Sequence, residues 1–347
     1  MSEIFGMSDV YKSLQQELRS RPATWLVTGA AGFIGSHLVE NLLLLGQKVR
    51  GLDNFSTGYQ ANLDHVRQIV GEELWSNFSF RKGDVRDSSD CRNSVDGVDY
   101  VLHQAALGSV PRSIEEPFIS HDSNVSGFLT LLDTARLAGC KRFVYASSSS
   151  VYGDEPTLPK REELIGTPLS PYAVTKLVDE LYANCYSDCY GTCVTGLRYF
   201  NVFGPRQDPQ GAYAAVIPAW TDVLARGGQT FVNGDGETSR DFCFIANVVQ
   251  ANLLAAAVVN NLRAPKEVFN VAVGERTTLN DLHQEIVRAI VASGRSVGYL
   301  EPEHRDFRPG DVRHSLADIA LISEKLGFSP THRLADGLVS TVKWFLR

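Results

Sequence analysis

The chain has 347 residues, 44% hydrophobic and 21% charged, the proportions of an ordinary soluble globular protein. Its formal net charge of −7 argues against a general binder of nucleic acid or anionic membrane, while leaving room for a local basic pocket. No apolar run approaches the ~20 residues of a membrane span, and residues 1–21 lack the apolar segment of a secretory signal. A cytoplasmic protein of one large domain or two smaller ones is expected.

Residues 9–19 read as a short polar helix, stopped by Arg21-Pro22, so that residues 1–22 form an arm ahead of the first domain. A β-type run over 23–28 flows into a glycine-rich turn, a helical pattern over 36–45 closed by Gly46, and a second strand over 48–53. This is one βαβ unit. Further strands are expected over 78–84, 99–106, 142–148 and 192–198, with a long helix over 117–138 and another carrying Tyr172 and ending before Gly191. Short apolar strands alternating with helices imply an α/β fold whose parallel sheet is covered on both faces. Beyond residue 200 the pattern loosens, with frequent Gly and Pro. Residues 201–347 are therefore expected to form mainly a smaller, mixed α/β substrate domain after a nucleotide-binding domain over 23–200, with 241–270 returning to the sheet.

The glycine-rich turn is Gly29-x-x-Gly32-x-x-Gly35, lying between a strand and a helix. Such glycines permit a tight turn and close backbone approach to a pyrophosphate, which the helix N-terminus binds through its amides and dipole. Asp53, eighteen residues after Gly35, ends the second strand, where an acid binds the ribose hydroxyls of NAD. No Arg follows it directly, which favours NAD over NADP. Asp84, at the end of the third strand, is expected near the adenine.

Tyr172 and Lys176 stand four residues apart, on one face of a helix. A cation beside a phenol favours the phenolate, so Tyr172 is a candidate general base. Cys185, Cys189 and Cys193 follow at a four-residue spacing. With no His flanking them at zinc-like spacing, they read as small core-filling side chains, and no metal is expected.

Five ordered motifs resemble the extended short-chain dehydrogenase/reductase family from residue 28 to about residue 318. They are Thr28-Gly29-Ala30-Ala31-Gly32-Phe33-Ile34-Gly35, Leu102-His103-Gln104-Ala105-Ala106, Ser147-Ser148-Ser149-Ser150-Val151-Tyr152-Gly153, Tyr172-x-x-x-Lys176, and Arg198-Tyr199-Phe200-Asn201-Val202-Phe203-Gly204-Pro205. The resemblance implies a Rossmann-type doubly wound sheet, bound NAD, and a Ser/Tyr/Lys constellation completed by Ser148, with Ser149 the next choice. It also implies cofactor contacts from Gly29, Gly32, Phe33, Ile34, Gly35, Asp53, Asn54, Ser56, Thr57, Gly58, Asp84, Val85, Gln104, Ala105, Ala106, Ser123, Tyr172, Lys176 and Tyr199. A homodimer formed by the two helices near 117–138 and 171–190 follows from the same resemblance.

Within that family the chain looks like the nucleotide-sugar 4-epimerases, in particular bacterial enzymes that interconvert UDP-N-acetylglucosamine and UDP-N-acetylgalactosamine for surface polysaccharides. The matching stretches surround Ser109, residues 207–218, residues 233–242 and residues 308–315. Related 4,6-dehydratases carry an Asp-Glu pair where this chain has Ser149 and Ser150, so a dehydratase is disfavoured. The likeness implies that Arg240 and Arg308 hold two phosphates, that Asn201 and Asp311 position the nucleotide, and that Val232 and Asn233 border its base. Ser109, Ser148, Ser149 and Val216 complete the substrate set. A small residue at 315 is expected to admit an N-acetyl group at C2 of the sugar, and Ser315 is small. The competing readings are a UDP-glucuronate-type 4-epimerase with Arg112 near a carboxylate, a UDP-glucose/UDP-galactose epimerase, a net oxidoreductase, and a non-catalytic NAD-bound regulator.

Overall fold

The computed structural model describes residues 7–210, 214–258, 266–307 and 312–347. Seven strands build one parallel sheet: β1 Thr24–Thr28, β2 Lys48–Asp53, β3 Phe78–Lys82, β4 Tyr100–His103, β5 Arg142–Ser148, β6 Val194–Tyr199 and β7 Lys266–Val271. Their spatial order is β7-β6-β5-β4-β1-β2-β3, the doubly wound order of a Rossmann-type sheet. The order of strand addition reverses at β1, with β2 and β3 on one side and β4 on the other, and a crevice opens at the carboxyl ends of β1 and β4.

The strands are apolar on both faces because helices cover both. Trp25 and Val27 enter the core shared with the helices Phe33–Leu44 and Ile245–Ala257, while Leu26 between them enters the core shared with Phe128, Leu131 and Ala183. This is the period of two expected of a pleated strand. The first core continues without a break to Ile217, Trp220, Leu282, Ile286 and Leu338 of the second lobe. That lobe combines the helices Val216–Ala225, Leu279–Ala292 and Leu334–Phe345 with three two-stranded pairings. Two of these matter for the site: Ser239–Arg240 runs antiparallel to Thr277–Thr278, and Phe231–Asn233 runs parallel to Glu303–Arg305.

The arm ahead of β1 is the helix Asp9–Ser20, which buries Tyr11, Leu14 and Leu18 in the first core. Gln47 is fully buried beneath it. Its amide group donates to Leu18 O and Leu45 O, and its oxygen accepts from Ala23 N and Trp25 Nε1.

Several element boundaries differ from the sequence reading. The first cradle helix begins at Phe33, three residues before Ser36, because the glycine turn passes directly into it. Strand β4 stops at His103, and residues 104–106 turn out to line the crevice instead of extending the strand. The helix expected over 117–138 is interrupted: Pro117–His121 and Gly127–Leu137 are separated by a π-helical turn, Asp122–Ser126. That turn carries the buried Asn124, whose side chain accepts from Leu107 N and donates to Leu107 O and Thr175 Oγ1. The helices Gln60–Trp75 and Ser88–Val95 had no counterpart in the sequence reading.

Candidate active site

The cavity at the crevice measures about 480 Å³. One wall is the glycine turn. Gly29 has φ 66°, and a Cβ there would lie 3.0 Å from Ala105 N, so the turn sits against the end of β4. A Cβ on Gly35 would lie 2.0 Å from Gly29 O. A side chain is excluded outright at Gly35, and at Gly29 it would be both crowded by backbone and strained by the left-handed φ. The helix that follows has Gly32 at its N-cap and no side chain satisfying its first amides, which leaves them available to an anion.

The acid side of the cavity is equally ordered. Asp53 is buried, and its two oxygens accept from Ala31 N at 2.9 Å and Phe55 N at 2.7 Å. Burial raises its pKa and these amides oppose the rise. Asn54 donates to Asp84 at 2.8 Å, and Arg86 forks onto the same carboxylate at 2.9 and 2.8 Å. Those contacts hold Asp84 well below the usual carboxylate range.

The expected cofactor residues that line this cavity are Gly29, Gly32, Phe33, Ile34, Gly35, Asp53, Asn54, Ser56, Thr57, Asp84, Val85, Gln104, Ala105, Ala106 and Ser123. Gly58 packs behind it, where a Cβ would come 2.8 Å from the Ala31 carbonyl carbon. Tyr199 is half-buried; its hydroxyl donates to Gln104 Oε1 at 3.0 Å and accepts from Asn252 at 2.8 Å, and so braces a residue that lines the cavity.

Tyr172 and Lys176 come from the helix Pro171–Tyr190, capped by Ser170, whose side chain accepts from Ala173 N. Tyr172 is half-buried, and its backbone N–H donates to Ser113 Oγ at 3.0 Å. Lys176 is only 3% exposed, and its ammonium lies 3.2 Å from the fully buried Asp179. Burial pushes the Asp179 carboxyl up while the ammonium pulls it down. Ser148, at the end of β5, accepts from Ser150 N at 3.1 Å and so caps the turn that begins at Ser149. Its neighbour Ser147 turns away to donate to Glu180 at 2.5 Å.

On the far side, Ser109 lines the cavity and caps the helix Val110–Glu115. Arg240 donates to Ser239 O at 3.0 Å, and Ser315 N donates to the same oxygen at 3.0 Å, which brings the two candidate residues together. Buried Asp241 fixes this region by accepting from Val273 N, Gly274 N and Ala317 N. Asn201 is exposed and Val216 starts its helix beside cavity-lining Ala214 and Ala215. Asn233 is half-buried at the end of its short strand. Val232 departs from the expectation, since it is 1% exposed and packs in the first core, as strand alternation requires next to outward-facing neighbours. Arg308 and Asp311 lie outside the described residues.

The cysteine reading also needs correction. Cys185 and Cys189 are exposed, with sulfurs 3.8 Å apart, because the buried face of their helix is occupied by Lys176, Asp179, Glu180, Ala183 and Ser187. Sequence reasoning missed Tyr59 and Arg206, and it gave no role to Gln207 and Asp208 within the matching stretch 207–218; all four line the cavity. They come from separate segments, and only their positions beside known motifs could have signalled them.

Residues 25–272 match the NAD dependent epimerase/dehydratase family, and the chain belongs to it. The chain is 37% identical to the UDP-glucose 4-epimerase of Mycolicibacterium smegmatis over 327 residues, covering 92% of this chain and 97% of the relative. Among solved structures, it resembles the UDP-N-acetylglucosamine 4-epimerase of Methanobrevibacter ruminantium in complex with UDP-N-acetylmuramic acid, with TM-score 0.84, 37% identity, and coverage of 94% and 98%. It also resembles the NAD complex of the Thermus thermophilus UDP-glucose 4-epimerase, with TM-score 0.77, 32% identity, and coverage of 93% and 98%.

NAD is the cofactor of this family. The residues present fit it: a turn with no room for a Cβ, an uncapped helix N-terminus and a buried strand-end acid border one cavity.

His103, beneath this cavity, yields a pH prediction. Its Nδ1 lies 2.7 Å from Thr28 Oγ1, and burial, with Lys176 nearby, pushes its pKa from 6.5 to about 3. A histidine held neutral by folding stabilises above its ordinary pKa, and that contribution is lost as pH falls from 6.5 through about 3. Urea midpoints should therefore fall more steeply across this window for the wild type than for His103→Gln. Parallel slopes would show that His103 does not drive the acid limb.

Proposed function

We propose that this enzyme of the UDP-sugar 4-epimerase type interconverts UDP-N-acetylglucosamine and UDP-N-acetylgalactosamine, with Tyr172 as the base at the sugar 4-hydroxyl. The observation that carries the choice of sugar is Ser315, a small side chain held beside Arg240 through the shared acceptor Ser239 O. A bulky aromatic at that position would fill the room that an N-acetyl group at C2 needs. The likeness to a UDP-N-acetylglucosamine 4-epimerase supports the same reading.

NAD, when bound, supplies reversible hydride exchange at C4, so a 4-keto sugar can be reduced on its other face without net redox change. Tyr172 takes the 4-hydroxyl proton and later returns it. Ser148 hydrogen-bonds the same oxygen and relays the proton; its hydroxyl can still donate while it accepts from Ser150 N. Lys176 directs one N–H to Asp179 and has two more donors for Tyr172 and the cofactor ribose. Arg240 meets the substrate diphosphate, with Arg308 as its partner in that role, and Asn201, Asp311 and Asn233 position the nucleotide.

A second reading, a UDP-glucuronate-type epimerase, is favoured by Arg112, which lines the cavity beside Ser109 and would meet a C6 carboxylate. Purified protein incubated without added NAD, with each UDP-sugar in turn, separates the readings by product analysis.

The proposal includes a homodimer through the helices of residues 117–137 and 171–190, on which Phe118 is 88% exposed and Leu137, Val174 and Leu181 also face outward. Light scattering should return twice 38.1 kDa, with Leu181→Glu shifting the protein towards that single-chain mass; a monomeric wild type would end this part of the proposal.

Tyr172→Phe should lower kcat by about 10²–10⁴-fold, the usual worth of a general base, and unchanged turnover would remove Tyr172 from the mechanism. Ser315→Tyr should depress turnover of the N-acetylated pair while sparing UDP-glucose and UDP-galactose. Equal losses on both pairs would sink the proposed gate.

A further inference from the structure

Tyr172, Lys176 and Asp179 stand at i, i+4 and i+7 of the helix Pro171–Tyr190, along one stripe of its surface. Asp179 is fully buried, and its Oδ2 accepts from Lys176 Nζ at 3.2 Å. Its other oxygen, Oδ1, is buried without a hydrogen-bond partner. Lys176 is therefore the sole hydrogen-bond donor to this carboxylate among the described residues. Position 179 lies outside the five ordered motifs.

The charged and titratable groups packed around Asp179 leave that pairing to itself. Glu180, next on the same helix, is taken up by the Arg198 fork from β6 at 2.9 and 2.8 Å. Tyr145 of β5 is fully buried, and burial together with the charges of Glu180 and Asp179 pushes its phenol well up, so it stays neutral. His103 of β4 is held neutral by burial and by the Lys176 ammonium. The π turn contributes Asn124, and the helix Val110–Glu115 contributes Ser113, neither of them ionisable. On the helix Gly127–Leu137, Asp133 and Arg136 pair with each other. Burial pushes the Asp179 carboxyl up towards neutrality, and Lys176 opposes the rise.

A cation beside Tyr172 favours its phenolate, and a carboxylate bonded to that cation cancels part of its field. Surroundings of low dielectric make both effects large. We propose that Asp179 is a positioning residue for the proton-transfer step, which anchors the Lys176 ammonium and sets how much of its positive charge Tyr172 feels. The inference rests on Tyr172 as the base and holds for whichever UDP-sugar is epimerised.

The test compares kcat for epimerisation against pH in wild type, Asp179→Asn, Asp179→Ala and Tyr172→Phe, with melting temperature measured on the same preparations. Asp179→Asn keeps the shape and an acceptor for Lys176 while removing the charge. The ammonium then acts on Tyr172 undiminished, so the acid limb of the profile should move down by about one pH unit. A buried ammonium without its counter-ion gives up its proton more readily, so the alkaline limb should move down as well. Asp179→Ala also releases the anchor, and should add to the same shifts a roughly three- to tenfold loss of kcat at the optimum. Limbs that stay in place in Asp179→Asn, while Tyr172→Phe is impaired as expected of a lost base, overturn the role of Asp179 alone. A loss of kcat that is uniform across pH also overturns it, because packing without charge would do the same. Wild-type turnover in Tyr172→Phe overturns the base itself and this inference with it. Should Asp179→Ala fail to fold, Asp179→Asn decides, since it is close to isosteric.

Discussion

The steric closeness of the glycine turn to itself is the constraint on which the site depends. A Cβ at Gly35 would sit 2.0 Å from Gly29 O, so the helix can start only if that position has no side chain. Starting there, the helix has Gly32 at its N-cap, with no side-chain oxygen to satisfy its first amides. Most helices place Ser, Thr, Asp or Asn at this position for that purpose. The same turn is braced from both sides. Thr28 Oγ1 accepts from Ala105 N and meets His103, and Asp53 accepts from Ala31 N. Two walls of the cavity are thus one continuous hydrogen-bonded unit that spans three strand ends.

Behind this unit lies a layer of buried charge. The helix Pro171–Tyr190 carries Tyr172 at its half-buried start and, on the face turned to the sheet, Lys176, Asp179 and Glu180. Glu180 receives the guanidinium fork of Arg198 at 2.9 and 2.8 Å and the hydroxyl of Ser147. Arg198 in turn lies over the Tyr152 ring, whose hydroxyl donates to Asn270, and Asn270 donates onward to Lys160 O and Asp318 O. Buried ion pairs are weak contributors to net stability, since desolvation offsets their attraction. Their effect here is positional. They hold the helix that bears Tyr172 and Lys176 against the ends of β5 and β6, and through Asn270 and β7 they connect that helix to the segment around Asp318.

What was legible in the sequence follows from how local each feature is. The glycine turn, Asp53 and the Tyr172–Lys176 spacing each sit within one element or one βαβ unit, so their meeting is dictated by short stretches of chain. The strands β2 and β5 were readable to the residue because their apolar runs end in abrupt turn signals. Interruptions were not readable. The π turn at Asp122–Ser126 arises because Asn124 satisfies both backbone groups of Leu107, a residue seventeen positions earlier. Periodicity also identifies a face without saying which way it points: Cys185 and Cys189 share one, but the charged network claims the inward side. For Val232 the two-residue alternation of the strand turns the side chain into the core, which the motif does not reveal. Arg206 and Tyr59 were silent in the sequence because their contacts with Glu40 and Asp208 exist only after segments roughly 150 residues apart are brought together.

The glycine cradle and the segment proposed to meet the sugar nucleotide have separate anchors. The cofactor side is tied together by contacts among the glycine turn, the acid loop and residues 205–208. On the other side, Arg240 and Ser315 are fixed by Asp241, whose carboxylate gathers Val273 N, Gly274 N and Ala317 N. Burial pushes that carboxyl up to about 6 and the three amides resist the rise, so the anchor operates through backbone groups of its own lobe. Displacing the Arg240–Ser315 segment would break none of the bonds that fasten residues 205–208 to the cradle. The continuous apolar core beneath both lobes opposes a wholesale opening between them, because it would expose Ile217, Trp220 and Leu282 together with the strand residues they adjoin. Local movement around Ser315 is the less costly motion, and it leaves the contacts around the glycine turn intact.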